Sequence, residues 1–140
     1  MENKNLAFQR EPWFSIMKIL AIETSCDDTA VAVLEGKGKK IKLLSNIISS
    51  QTKLHAQYGG VYPFMAKREH QKNLPLVLEQ ALKQAKNPKI DAIAVTYGPG
   101  LEPCLWQGIN FATSLAKELN VPLFPINHIE AHLLANFIDD

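Results

Sequence analysis

Short apolar runs separated by polar turns fill the first third of the chain, and the period then lengthens. "KILAIE" (residues 18–23) is an apolar run that breaks at "TSCDDT". "AVAVLE" (residues 30–35) follows at hairpin distance, and "GKGKK" makes the next turn. "IKLLSNIISSQ" (residues 41–51) reads as a third, longer strand. Three strands joined by tight connections are most simply antiparallel neighbours. Past "QYGGVYP", residues 64–86 space Met65, Leu74, Leu76, Val77, Leu78, Ala81, Leu82 and Ala85 mainly for a helix. Pro75 falls inside that stretch and predicts a kink, or two helices meeting near Asn73. Next come a buried strand over residues 90–97, a turn "GPGLEP", a helix over 104–119, a strand over 121–127 and a helix opening at "HIEAHLLANFI".

The predicted order is β-β-β-α-β-α-β-α, in which a meander is followed by crossovers that make the later strands parallel. This α/β order resembles the ribonuclease H-like half-domain of the actin, hexokinase and Hsp70 group. Proteins of that group place two such domains around a nucleotide cleft, and the pattern here supplies one.

At 140 residues the chain suffices for one domain with a real core. Its 46% hydrophobic and 21% charged composition is that of an ordinary globular protein. A net charge of +1 neither demands nor excludes nucleic acid, because a binding patch can be local. Cys26 and Cys104 form no Cys-x-x-Cys pattern, and with no secretory signal beside them they read as reduced thiols in a cytoplasmic protein. No apolar run is long enough to span a bilayer, so no membrane is expected as a partner. Residues 1–16 precede the first strand pattern and read as an untied extension or an upstream start codon before a natural start at Met17, with docking of Trp13 and Phe14 as the alternative. The domain proper is expected over residues 17–140.

Candidate chemistry concentrates at two places. His128 and His132 lie four positions apart, about 40° around a helix, so both imidazoles can reach one ion. Glu130 points roughly 200° from His128, so this is not the His-Glu-x-x-His arrangement of metalloproteases. Surface or hydrogen-bonded histidines are the plainer reading of such a pair. Its position after a buried parallel strand, where open α/β sheets bind ligands, favours a site. A catalytic metal usually takes three protein ligands, and His55, His70, Asp139 and Asp140 are the remaining candidates, none with compelling spacing. In "ETSCDDT" the hydroxyls of Thr24, Ser25 and Thr29 can hold phosphate oxygens, whereas Asp27 and Asp28 repel a phosphate unless a cation intervenes. A polar hairpin turn explains the same residues. "TYGPGLEP" brings backbone close to a ligand or is simply a turn. Lys67, Arg68 and Lys72 form a solvated charged face or an RNA contact.

Taken in order, "ETSCDDTAVAV", "SSQTKLHAQYGGVYP", "AVTYGPGL" and "NHIEAHLLA" resemble the tRNA threonylcarbamoyladenosine transferases, the TsaD family once called O-sialoglycoprotein endopeptidases. The resemblance runs from residue 17 to residue 140. The paralogous TsaB proteins share the fold but lack the histidine pair. The resemblance implies that His128 and His132 bind one divalent ion, iron or zinc, whose next ligand is an aspartate far downstream in a second domain. The implied acyltransferase reaction moves threonylcarbamoyl from threonylcarbamoyl-adenylate to N6 of the adenosine beside the anticodon of tRNA. Asp27 and Asp28 match the family's acidic pair, Thr24 and Ser25 fall in its cofactor-binding loop, and TsaB-like and TsaE-like proteins are the implied partners. Where many members have Pro-Glu-x-Ala-Ser-Arg, this chain has "PFMAKR": Phe64 and Lys67 replace the acid and the serine, while Arg68 and His70 still match. Competing readings are a related carbamoyltransferase and a non-catalytic interaction module, the latter including a homodimer. A peptidase finds no nucleophile–base pair.

Overall fold

The computed structural model describes residues 15–138. Its elements are β1 (Met17–Glu23), β2 (Asp28–Lys37), β3 (Lys40–Ser50), α1 (Thr52–Ala56), α2 (Pro63–Gln84), β4 (Ala92–Gly98), α3 (Glu102–Leu119), β5 (Leu123–Asn127) and α4 (His128–Leu134), followed by a 3-10 turn (Ala135–Phe137). One five-stranded sheet has the order β3-β2-β1-β4-β5. β1 pairs antiparallel with β2, and β2 with β3, while β1–β4 and β4–β5 are parallel. The meander and the crossovers are therefore as the hydrophobic pattern predicts. The expected extension and the alternative docking of Trp13 and Phe14 lie outside the described residues.

β1 and β2 alternate in burial because each has one face on the core. Leu20, Ile22, Val31, Val33, Ile93 and Val95 are buried and point to the side covered by α2 and α3. Each such side chain contributes about 1.5–3 kcal/mol on leaving water. α2 answers with Ala66, His70, Leu74, Val77 and Ala81, and α3 with Cys104, Leu105, Gly108, Ala112 and Ala116, both at helical spacing. The opposite face of the sheet carries Ala21, Ala30, Ala32 and Ala94, small residues that leave a shallow floor.

Two elements depart from expectation. α2 is one 22-residue helix that runs through Pro75 instead of breaking near Asn73. Pro75 and Gln71 are both exposed, so the carbonyl that loses its intrahelical partner faces water, while Leu74 and Val77 anchor the helix on either side. The stretch read as a connection after the third strand contains the five-residue α1. Side-chain bonding forms it: His55 Nε2 meets Gln51 Oε1 at 2.8 Å, and His55 Nδ1 accepts the Tyr62 N–H at 3.2 Å.

Candidate functional site

The carboxyl ends of β1, β4 and β5 lie side by side, and the chemistry-bearing residues sit there. β1 ends at Glu23, β4 carries Thr96 near its end, and β5 passes directly into α4 at His128. Asn127 makes that last transition possible. Its side-chain oxygen caps α4 by accepting the N–H groups of Ile129 at 2.9 Å and Glu130 at 3.1 Å. The result is an open cleft of about 620 Å³ lined by Ser25, Asp27, Asp28, His128 and His132 among others.

His128 and His132 turn toward each other, with Nε2 atoms 3.1 Å apart and rings nearly perpendicular at 81°. Two nitrogens that each lie about 2.1 Å from one ion stand roughly 3.0–3.4 Å apart when the angle between them is 90–109°. The pair therefore already has the separation a shared ion requires. On the other side of His128, Nδ1 lies 3.2 Å from both Glu23 Oε2 and Ser25 Oγ. A carboxylate there favours the proton on Nδ1, which leaves the Nε2 lone pair free for a ligand. The donor set fits a divalent ion held by two imidazoles. Among the described residues no third histidine, cysteine or carboxylate joins them; Asp139 and Asp140 lie outside those residues. Glu130 is exposed and does not line the cleft. The other two histidines are buried and engaged elsewhere: His55 as above, and His70 with Thr29 Oγ1 and the Cys26 carbonyl.

Glu23 is the residue that sequence reasoning passed over. Burial raises its carboxyl pKa, but hydrogen bonds from Ser25, Thr96 and His128 outweigh that effect and leave it below the ordinary value of 4.5. It is an ionised acceptor that ties β1 to β4 and α4. An acid closing an apolar strand at the ligand-binding end of a parallel sheet was the available signal.

Thr24 and Ser25, expected together as cofactor-binding residues, face different ways. Ser25 lines the cleft, with its hydroxyl at His128. Thr24 is 1% exposed, and its hydroxyl donates to the Cys104 carbonyl at 2.8 Å. It packs against Gly108, where an added Cβ would stand 2.4 Å from Thr24 Oγ1. Gly108→Ala is accordingly expected to lower stability by about 1–3 kcal/mol through overpacking. Adding Thr24→Ala should recover part of that loss, which a double-mutant cycle by chemical denaturation would measure. Gly100 makes a similar close approach, since a Cβ there would lie 2.6 Å from the Ser25 carbonyl oxygen. The Gly-Pro-Gly turn thus braces the loop that carries Ser25.

Asp27 and Asp28 both line the cleft. Burial, with Asp27 and Asp28 beside it, raises the Cys26 thiol, and burial pushes Cys104 to about 11. Neither cysteine is an activated nucleophile. Lys67, Arg68 and Lys72 lie outside the cleft lining, along α2.

Comparison with known proteins identifies the family. The family model described as "TsaD: tRNA N6-adenosine threonylcarbamoyltransferase" matches residues 42–140. A tRNA N6-adenosine threonylcarbamoyltransferase of Thermosipho melanesiensis is 52% identical over 87% of this chain, and one of Persephonella marina is 54% identical over 89%. The chain spans only 37% and 36% of those two relatives. Among solved structures, YeaZ from Pseudomonas aeruginosa aligns with a TM-score of 0.58 at 22% identity, covering 79% of this chain and 44% of YeaZ. RuvC from Thermus thermophilus aligns at 0.53 and 15% identity, covering 85% of this chain and 70% of RuvC in its Holliday junction complex. At these identities the two structures speak for the fold alone, the ribonuclease H-like one expected. With more than half its length matched by the family model and about half its residues shared with those relatives, the chain belongs to the TsaD family of tRNA N6-adenosine threonylcarbamoyltransferases.

Proposed function

We propose that this chain forms one wall of a threonylcarbamoyltransferase active site, whose remaining groups correspond to parts of the relatives beyond the third that it spans. The observation that carries the reading is the meeting, in one cleft, of the converging His128–His132 pair and the acidic turn of Asp27 and Asp28. The substrates are threonylcarbamoyl-adenylate and a tRNA adenosine. In the reaction the adenosine N6 bonds to the carbamoyl carbon, the bond from that carbon to the adenylate oxygen breaks, AMP departs, and N6 loses a proton. His128 and His132 are the residues that would hold the divalent ion, iron or zinc, and imidazole nitrogens suit either. When bound, the ion supplies Lewis-acid polarisation of the carbonyl. Glu23 keeps His128 oriented, with its proton on Nδ1. Asp27, half-buried at the cleft, is the group we assign to accept the N6 proton, and Asp28, exposed beside it, supplies negative charge.

A chimera tests this assignment. Residues 17–140 would replace the matching third of the Persephonella marina relative, and threonylcarbamoyl transfer to tRNA would be assayed. The chimera is expected to be active, and Asp27→Asn within it to reduce the rate by about 10²–10⁴, the usual worth of a positioned general base. The 140-residue chain alone, supplied with adenylate and tRNA, is expected to transfer nothing. An inactive chimera beside an active parent would refute the assignment.

The competing idea of an interaction module gains support from one feature. Phe64 is 67% and Trp106 51% exposed, while Met65 and Leu101 are half-buried. Tyr58 and Tyr62 add exposed aromatic surface near the start of α2. TsaB-like and TsaE-like proteins, or a second copy, are the partners we propose for such a surface. Light scattering across a concentration series is expected to show association that Phe64→Glu abolishes, and a strictly monomeric wild type indifferent to TsaB-like protein would refute it. No helix among the described residues is long and apolar enough to cross a membrane, and we place the protein in the cytoplasm.

A further inference from the structure

Two buried histidines outside the cleft converge, from beneath, on the turn that carries Asp27. His70 Nε2 lies 2.8 Å from the Cys26 carbonyl oxygen, and the Gln51 N–H donates to the Asp27 carbonyl oxygen at 2.9 Å. Gln51 is in turn held by His55, whose Nε2 meets Gln51 Oε1 at 2.8 Å, while Gln51 Nε2 donates to the Ala66 carbonyl at 3.3 Å. His55, His70, Gln51 and Thr29 are all buried, so none of these bonds competes with bulk water.

The partners settle the proton positions. The Cys26 carbonyl only accepts, so His70 carries its proton on Nε2, and its bare Nδ1 accepts the Thr29 hydroxyl at 2.8 Å. The Tyr62 N–H only donates, so His55 Nδ1 is bare and Nε2–H donates to Gln51 Oε1. That turns the Gln51 amide nitrogen toward Ala66. Every donor has an acceptor in one arrangement, and both rings are neutral in it.

We propose that His70 and the Gln51–His55 pair are positioning residues that clamp the acidic turn and thereby aim Asp27 into the cleft. Peptide units are planar, so fixing the direction of a carbonyl leaves its plane only the rotation about that bond. The clamp holds the Cys26–Asp27 plane through one carbonyl and the Asp27–Asp28 plane through the next. The φ and ψ of Asp27 are the only rotations between those planes, and they are held with them. The direction of the Asp27 Cβ follows. A cation at His55 would set its added proton against the Tyr62 N–H, and one at His70 would turn the Thr29 hydroxyl from donor to acceptor. Burial lowers the pKa of His70 below its ordinary 6.5 against the pull of Glu23, Asp27 and Asp28, which agrees with a neutral ring.

The inference rests on the proposed function only for the purpose of aiming Asp27; the clamp itself is tested on the 140-residue chain. ¹⁵N spectra of the wild type are expected to show His55 and His70 as Nε2–H tautomers, with His70 titrating below its ordinary 6.5. An Nδ1–H tautomer at either, or ordinary titration of His70, would overturn the clamp. In His70→Leu, exchange of the Gln51 amide hydrogen is expected to quicken tenfold or more relative to that of Val95. His70→Gln, which retains a donor for the Cys26 carbonyl, should recover part of this, and Zn²⁺ affinity should stay within twofold in both. Uniform acceleration across the sheet would reduce His70 to a packing residue. In the chimera, His70→Leu is expected to lower kcat about tenfold at constant KM for tRNA, and an unchanged kcat would overturn the aiming role. An inactive parent chimera would count against the proposed function instead, since the spectra and exchange judge the clamp without it.

Discussion

His132→Ala is expected to weaken Zn²⁺ binding on the order of 100-fold, the upper end of what loss of even an outer-sphere partner does to metal sites. The wild-type chain should bind one ion modestly, with water in the coordination positions that its two imidazoles leave open. Glu23→Gln keeps an acceptor for the His128 Nδ1–H but removes its charge, and is expected to weaken binding about tenfold. Calorimetric titration of the three proteins distinguishes these steps. Equal affinities for wild type and His132→Ala would show that the ion is held elsewhere, and the 3.1 Å approach of the rings would then be a hydrogen bond and nothing more.

Glu23→Ala is expected to be the most destabilising of these substitutions. It strips partners from the Ser25 N–H, the Thr96 hydroxyl and His128 together. Leaving such donors unpaired in a partly buried setting costs about 3 kcal/mol. The same residue contributes to acid sensitivity. Its pKa is lower in the folded chain than its ordinary 4.5, so its stabilisation is complete above that value and is lost as pH falls below it. His70 acts at a higher window. Its folded pKa lies below 6.5, so the unfolded chain takes up the proton first, and stability declines as pH falls from 6.5 toward the folded value. Denaturation midpoints measured from pH 7.5 downward should therefore begin to fall near 6.5 and fall further below 4.5; Glu23→Ala should flatten the lower part and, by removing a charge that raises the His70 pKa, deepen the upper one. A single stage near 4.5 in the wild type would mean that His70 protonates without penalty.

The sheet was legible because its strands are short apolar runs with turn residues between them, and helix α3 because its apolar period is unbroken. α1 was not, since a five-residue helix carries no period and depends on the His55–Gln51 contact. Pro75 suggested a break because sequence does not say which side of a helix faces water. At the site, the histidine pair was visible from its spacing, and the structure turns both rings inward. The Thr24–Ser25 pair shows where local reading stops. Adjacent hydroxyls look alike in a motif, but consecutive residues leaving a strand point to opposite sides, and only Ser25 reaches the cleft. Glu23 closes an apolar strand, which was a signal, but its role was hidden because its partners Thr96 and His128 lie 73 and 105 residues away.

Those separations also set an order of events. Among the described residues β5 is an edge strand that pairs only with β4, carries Pro125 and leaves Phe124 exposed. The histidine pair begins where β5 stops and His128 leans on Glu23 at the end of β1, so this placement needs both parallel pairings, β1–β4 and β4–β5, to be closed. An ion that recognises the pair recognises only the finished sheet. Present at a hundred times its dissociation constant, such a ligand adds about 2.7 kcal/mol to the folded state. That gain falls on the strand with the fewest neighbours, so metal supply would govern how long the edge of this sheet stays closed.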